Sequence, residues 1–109
     1  MPPSFQSNLP NKQTKTENET VNYACTIQAK PYAQIVWKLG EKNLTGTPYN
    51  ITTEVAPVQN SKLLRTLSYL TIDKVTWQQN GTFSCVAFNS AGQRRQTTDL
   101  EVRCKYLIK

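Results

Sequence analysis

Two cysteines on alternating apolar segments restrict the fold of this chain more than any other feature. Cys25 lies in the segment Val21–Ile27, where every second residue is apolar, and Cys85 lies in the similar segment Phe83–Asn89. Such alternation is typical of β-strands that turn one face toward a core. Trp37 follows Cys25 on a third segment of this kind. We therefore expect a Cys25–Cys85 disulfide that joins two facing sheets, with the Trp37 indole packed on the sulfurs.

Further short strands, separated by turn residues, are predicted along the rest of the chain. They are Ile35–Leu39, Leu70–Ile72 and Gln96–Arg103, with turns at Gly40–Asn43 and Asn89–Gly92. Helical periodicity is nearly absent, although residues 75–79 are compatible with a single helical turn. The pattern predicts an antiparallel sandwich or barrel, with Leu70 and Phe83 in the core beside Trp37. Trp77 either caps the bottom of this core or lies exposed beside Asn80.

Length and composition exclude several classes of function. A chain of 109 residues with 38% hydrophobic residues is expected to form one domain, over residues 1–104. Residues 105–109 are expected to form a linker or the start of a next domain. The chain has no histidine, no closely spaced cysteine pair and only four glycines. These counts argue against a zinc site, a histidine-activated nucleophile and a phosphate loop, and no cofactor is expected.

The charge and hydropathy of the chain indicate whether nucleic acid or a membrane is an expected partner. The net charge is +6, but the basic residues are scattered and no nucleic-acid motif accompanies them, so nucleic acid is not an expected partner. No apolar run approaches the length that crosses a bilayer, and no signal peptide is visible. Met1 is interpreted as an expression start on an excised domain. Any contact with a membrane is therefore expected only through parts of a longer protein.

Four glycosylation sequons indicate the compartment. Asn18, Asn43, Asn50 and Asn80 each begin an N-x-Thr triplet. About two such matches are expected by chance from nine asparagines and 20 serines and threonines. The excess, together with the expected disulfide, favours an extracellular or cell-surface location.

The combined pattern resembles the immunoglobulin superfamily, and in detail its I-set type. The resemblance covers almost the whole chain: residues 2–5 resemble the first strand, Cys25 to Gly40 resemble strands B and C, and Leu70 to Gly92 resemble strands E and F with the FG turn. It implies an all-β, Greek-key, antiparallel sandwich of seven to nine strands. It also implies a domain that binds other proteins or acts as a spacer, without catalysis.

Three positions depart from the family pattern. Gln79 stands where the family usually has aspartate, and Phe83 stands where it usually has the tyrosine of the tyrosine corner. The Glu17–Thr20 segment replaces a turn that usually contains glycine. A lost corner hydrogen bond costs about 0.5–1.5 kcal/mol, which a disulfide-bonded sandwich tolerates.

The resemblance directs attention to exposed surfaces as sites of function. Val36, Lys38, Val86 and Phe88 are expected on the outer face of strands C and F, where they would form an apolar patch that binds protein. The adjacent Arg94 and Arg95 are candidate contacts for a carboxylate or sulfate group.

Cys104 is left over after the expected disulfide is formed. A disulfide to a neighbouring domain or to a second chain and a free thiol are both compatible with the sequence.

We therefore expect a non-enzymatic, extracellular recognition or adhesion module with a protein ligand or co-receptor. Homophilic contact is possible on this interpretation. The alternatives are a spacer in a chain of similar domains, an intracellular module of the muscle type with reduced cysteines, and a domain that binds heparan sulfate.

Overall fold

The computed structural model describes residues 2–104, which form nine β-strands and one 3-10 helical turn. The strands are β1 (Ser4–Phe5), β2 (Lys12–Thr16), β3 (Val21–Ala29), β4 (Gln34–Leu39), β5 (Lys42–Asn43), β6 (Tyr49–Pro57), β7 (Leu64–Ile72), β8 (Gly81–Asn89) and β9 (Gly92–Arg103). The 3-10 turn, Trp77–Gln79, lies between β7 and β8.

The strands form two sheets that pack face to face. One sheet has the order β1-β3-β7-β6 and the other has the order β2-β9-β8-β4-β5. All neighbouring strands run antiparallel except β2 and β9, which are parallel. The predicted all-β sandwich is confirmed, and the parallel β2–β9 pair is a feature that the alternation of residues did not predict.

The core lies where the alternating apolar faces of both sheets meet. Cys25 of β3 and Cys85 of β8 are joined by a disulfide, with 6.7 Å between their Cα atoms. Trp37 is opposite Cys85 in the β4–β8 register and is 1% exposed. Leu70 and Phe83 are fully buried beside it. Burial of side chains of this size stabilises a fold by about 1.5–3 kcal/mol each.

In three turns, the residue type suits the backbone conformation or supplies the hydrogen bonds that the turn requires. Asn18 adopts a φ of 73° in the β2–β3 turn, so asparagine takes the left-handed conformation that glycine would otherwise supply. Gly40 adopts a φ of 59° between β4 and β5. The buried Gln79 accepts hydrogen bonds from the backbone N–H and the hydroxyl of Thr76, at 2.8 and 3.0 Å. Gln79 therefore caps the 3-10 turn at the position where the family pattern has aspartate.

Several segments differ from expectation. The strands β2 and β6 were not predicted, and β7 begins at Leu64, before the predicted start at Leu70. β5 forms inside the predicted Gly40–Asn43 turn, and β9 begins at Gly92, before the predicted start at Gln96. Trp77 is 64% exposed and does not cap the core. Val75, two residues earlier, is fully buried and fills that end of the sandwich.

Strand β6 is unusual because all but the first of its nine residues are exposed. It is the edge strand of its sheet and pairs with β7 along its whole length. On the facing sheet, the edge strand β5 has only two residues. The inner side of β6 is therefore left open to solvent.

Candidate protein-binding face

The outer face of β4, β8 and β9 carries the residues predicted for recognition. Strand pairing places Val36 opposite Val86 and Lys38 opposite Ser84. Across the next strand pair, Arg95 is opposite Val86 and Gln93 is opposite Phe88. Directly opposed residues of antiparallel strands point to the same side, so these side chains form one surface. We call this surface the β4–β8–β9 face.

Two open depressions meet at Phe88 on this face. One is lined by Pro31, Tyr32, Gln34, Phe88, Asn89 and Ser90, and the other by Val36, Lys38, Asn43, Val86, Phe88 and Gln93. Hydrogen bonds from the Asn89 side chain to backbone groups hold the first depression in shape. The Asn89 amide donates to the Pro31 carbonyl at 2.8 Å, and its oxygen accepts from the Ala91 N–H at 2.9 Å.

The prediction that Val86 is an exposed member of the patch is wrong, because Val86 is only 4% exposed. Ser84, which is on the same side of β8 as Val86, is 3% exposed. Both residues lie on the central strand β8, where Val36 and Arg95 flank Val86 on either side. Alternation gave the correct side of the sheet for Val86, but the neighbouring strands cover it. Val36, Lys38 and Phe88 are half-buried.

Tyr32 is a member of the face that the sequence analysis missed. It precedes β4, lines the first depression and is 48% exposed. An aromatic residue in a polar loop beside a strand was the available signal. Tyr32 extends the apolar surface from Val36 and Phe88 toward the loop end of the sandwich.

Arg94 and Arg95 do not form a joint anion site. Arg94 is in register with the buried, inward-facing Ala87, and Arg95 is in register with Val86. Successive residues of a strand point to opposite faces, so the two guanidinium groups diverge. The Arg94 guanidinium instead donates to the Gln93 carbonyl at 2.9 Å. Arg95 lies with Lys38 on the β4–β8–β9 face and gives that face a positive charge.

The four sequon asparagines are all exposed, but they lie in different places. Asn43 lines the second depression, and Asn50 lies on β6 in the other sheet. Asn18 and Asn80 lie at the end of the sandwich where β9 finishes. The Asn80 oxygen accepts from the Val102 N–H at 2.5 Å, and its amide is 3.5 Å from the Val102 carbonyl. A glycan on Asn80 would compete with this contact.

Two ionisable groups have shifted pKa values. Hydrogen bonds from Lys12 and Arg103 lower the pKa of Glu101, and each cation lies 3.2 Å from its carboxylate. Burial raises the pKa of Tyr23, whose ring is 5.6 Å from that of Phe83. Glu101 is on the outer side of β9 but beyond the residues that pair with β8, and Tyr23 is buried in the core. The shifts therefore describe strand packing and give no sign of acid–base chemistry.

Within residues 2–104, no group of three or more histidine, cysteine or acidic side chains could hold a metal ion. In the same range, no helix is long and apolar enough to cross a membrane. Cys104 follows β9 as an exposed free thiol. The predicted linker at 105–109 lies outside the described residues.

The two-sheet topology, the central disulfide and the buried tryptophan define an immunoglobulin-like domain. The family model of the immunoglobulin I-set domain matches residues 3–102. The chain therefore belongs to the I-set family, as the sequence resemblance indicated.

Relatives of this chain are long proteins of which it matches a small part. It is 28% identical to hemicentin-2 of Mus musculus over 102 residues, which are 94% of this chain and 2% of that protein. It is 28% identical to smooth muscle myosin light chain kinase of Gallus gallus, covering 94% of this chain and 5% of that protein. It is 31% identical to titin of Drosophila melanogaster over 103 residues, 94% of this chain and 0% of that protein to the nearest per cent.

Solved structures of similar fold are titin immunoglobulin domains. The I-band fragment I67–I69 from titin superimposes with a TM-score of 0.76 at 21% identity, covering 94% of this chain and 33% of the fragment. The titin domains Z1Z2, solved in complex with telethonin, give a TM-score of 0.79 at 20% identity, covering 97% of this chain and 49% of theirs. At this level of identity the likeness shows the shared fold alone.

Proposed function

We propose that this domain recognises a protein ligand through the β4–β8–β9 face, as one extracellular module of a longer multidomain chain. The observation that carries the proposal is the surface formed by Tyr32, Val36 and Phe88, with Lys38 and Arg95 beside it. Apolar surface with a polar rim is typical of protein interaction sites. The two cations favour a ligand that presents an apolar side chain next to carboxylates.

A binding comparison with matched variants tests this face. The domain, tetramerised on streptavidin, is measured against an array of extracellular proteins and compared with Phe88→Asp and with Tyr69→Asp. Tyr69 is 44% exposed on the opposite sheet, so it controls for the substitution itself. We expect Phe88→Asp to lower binding by at least about tenfold, since a carboxylate would replace the central apolar side chain and repel the carboxylates expected on the ligand. Equal binding by both variants would remove the β4–β8–β9 face as the site.

The proposed location rests on the disulfide and the sequons. Secretion from mammalian cells followed by intact-mass measurement tests it. We expect glycan additions and the loss of two hydrogen atoms at Cys25 and Cys85. Peptide mapping is expected to show more glycan at Asn18, which is exposed in the β2–β3 turn, than at Asn80, whose amide contacts β9. An unglycosylated product with free thiols at 25 and 85 would favour the intracellular module of the muscle type.

Two other functions have weaker support. A spacer role is consistent with the multidomain relatives, and it would be favoured if every variant of the face left binding unchanged. Heparan sulfate binding was suggested by Arg94 and Arg95, which diverge in the structure. We expect the double variant Arg94→Ala/Arg95→Ala to elute from heparin close to the unmodified protein.

A further inference from the structure

The exposed edge of β6 differs from the other sheet edges of residues 2–104. Edge strands expose unpaired backbone groups, and proteins commonly protect them by shortness or by lysine. β1 and β5 have two residues each, and β2 carries Lys12 and Lys15. β6 has nine residues, none of which is lysine or arginine. It is therefore the edge with the least protection against pairing with another strand.

The inner side of β6 is also apolar. Ile51 and Val55 have the same parity as the buried face of β7, because Ile51 is opposite Leu70 and Val55 is opposite Thr66. They are nevertheless 38% and 48% exposed. The cause is the shortness of β5, which leaves nothing on the facing sheet to cover them. An added strand would cover these side chains and pair the free backbone groups at the same time.

We propose that β6 pairs with β6 of a second copy of this chain, antiparallel, about a two-fold axis at Thr53. In this register all nine residues of each strand face a residue of the other, and Pro57, which has no N–H, lies at the end of the paired stretch. Ile51 of each copy lies opposite Val55 of the other copy. The two pairs that result are on the same side of the joined sheet. Apolar and β-branched residues in directly opposed positions stabilise antiparallel pairs. The contact uses the same patch on both copies, as a two-fold interface requires.

The charge distribution is compatible with this partner and selects this register. The molecule carries a net charge of +6, which opposes self-association, but no basic residue lies in β6. Its one charged residue, Glu54, faces Thr52 of the other copy when the axis is at Thr53. An axis at Glu54 would place the two carboxylates opposite each other. An axis at Thr52 would place Ile51 opposite Thr53 and shorten the paired stretch.

Pairing in this way joins the two β1-β3-β7-β6 sheets into one continuous sheet across the dimer. The β4–β8–β9 face belongs to the other sheet and stays exposed on each copy. Self-pairing is therefore independent of the recognition surface proposed above.

Cysteine crosslinking tests the register. The protein is produced without glycans in an oxidising bacterial host, with Cys104→Ser as background. Thr53→Cys places the two introduced thiols opposite each other, at a spacing that a disulfide can bridge. In the control variant Ala56→Cys the introduced cysteine is on the same exposed strand. In the dimer, however, the two introduced cysteines are six residues apart along the strand direction, about 20 Å. We expect Thr53→Cys to form covalent dimers at least about tenfold faster. Equal rates for both variants would overturn the proposal.

Sedimentation equilibrium from about 1 μM to about 1 mM tests the association itself. The unmodified protein is expected to form dimers in a concentration-dependent way. Val55→Lys is expected to raise the dimer Kd by at least about tenfold, because each lysine would face Ile51 of the other copy. Trp77→Lys, at an exposed residue of the 3-10 turn outside both sheets, is expected to leave the Kd unchanged. A protein that stays monomeric throughout would overturn self-pairing and leave this edge to a strand of a different protein.

Discussion

At the scale of single residues, a chain of hydrogen bonds connects the buried tryptophan to the exposed edge strand. The Trp37 indole donates to the Ser68 hydroxyl at 2.9 Å, and the Ser68 and Thr53 hydroxyls are 3.0 Å apart. Ser68 is fully buried and Thr53 is exposed. Ser68 therefore supplies the acceptor that lets a large indole be buried without leaving its N–H unpaired.

Replacement of Ser68 by alanine tests this role. The Trp37 N–H would lose its acceptor in the core, so we expect the free energy of unfolding to fall by about 1–3 kcal/mol. Thr53→Ala removes only the exposed end of the chain and is expected to cost less. Urea denaturation of both variants measures the difference. Equal losses would show that the Ser68 hydroxyl does not satisfy the indole.

Tyr23 offers a second test at this scale. Its hydroxyl and that of Thr98 are both buried, and neither has a hydrogen-bond partner of good geometry. Tyr23→Phe is therefore expected to change stability by less than about 1 kcal/mol at neutral pH.

The raised pKa of Tyr23 makes this comparison depend on pH. Below about pH 9 the hydroxyl is protonated in both folded and unfolded chains, so it contributes no pH dependence. As the pH rises through the ordinary tyrosine pKa of 10.0, the unfolded chain ionises first and the folded state loses stability. The unmodified protein should therefore lose more stability than Tyr23→Phe between about pH 9 and pH 11. Parallel stability curves for the two proteins would contradict the buried phenol.

At the scale of elements, the 3-10 turn before β8 depends on Gln79. Its side chain receives two hydrogen bonds from Thr76, and its amide is 3.5 Å from the Tyr49 hydroxyl. Gln79→Ala is expected to cost about 1–2 kcal/mol, the value of a lost cap. Gln78→Ala, on the exposed side of the same turn, is the matched control and should cost little. Thermal unfolding of both variants measures the effect.

Strands with a regular alternation of apolar residues could be predicted from the sequence, but the others could not. The nine-residue strand β6 was not predicted, because nearly all of its residues are exposed and their alternation has no buried side. β3 and β8 each contain a regular alternation with a cysteine on the buried parity, which fixes both the strand and its face. β1 and β5 have two residues each, too few for any periodicity. β2 pairs in parallel with β9 through backbone contacts that leave no pattern in its polar sequence.

The residues of the candidate site could be predicted only where they lie on strands with a regular alternation. Alternation placed Val36, Lys38 and Phe88 on the correct side of the sheet. It could not show that Val86 is covered, because coverage depends on which strands lie on either side. It could not bring Tyr32 to the same surface, because that loop residue follows no periodicity. The divergence of Arg94 and Arg95 did follow from strand alternation and could have been predicted.

At the scale of the whole molecule, the Cys25–Cys85 disulfide is the main covalent constraint. It closes a loop of 60 residues and connects the two sheets at the core. Cys25→Ala/Cys85→Ala is expected to lower the free energy of unfolding by about 2–5 kcal/mol. Cys104→Ser is the control and should leave stability unchanged, since Cys104 is exposed and follows the last strand. A double variant as stable as the control would show that the core needs no cross-link.

The hydrogen bonds from Trp37 through Ser68 to Thr53 give the domain a built-in optical reporter. The chain contains two tryptophans, so Trp77→Phe leaves Trp37 as the sole indole. Thr53 is also the residue at the axis of the proposed dimer. A rearrangement of its hydroxyl on dimerisation would change the polarity at the indole and shift the emission wavelength. Association of two copies through β6 could then be followed by the intrinsic fluorescence of the buried Trp37, without an added dye.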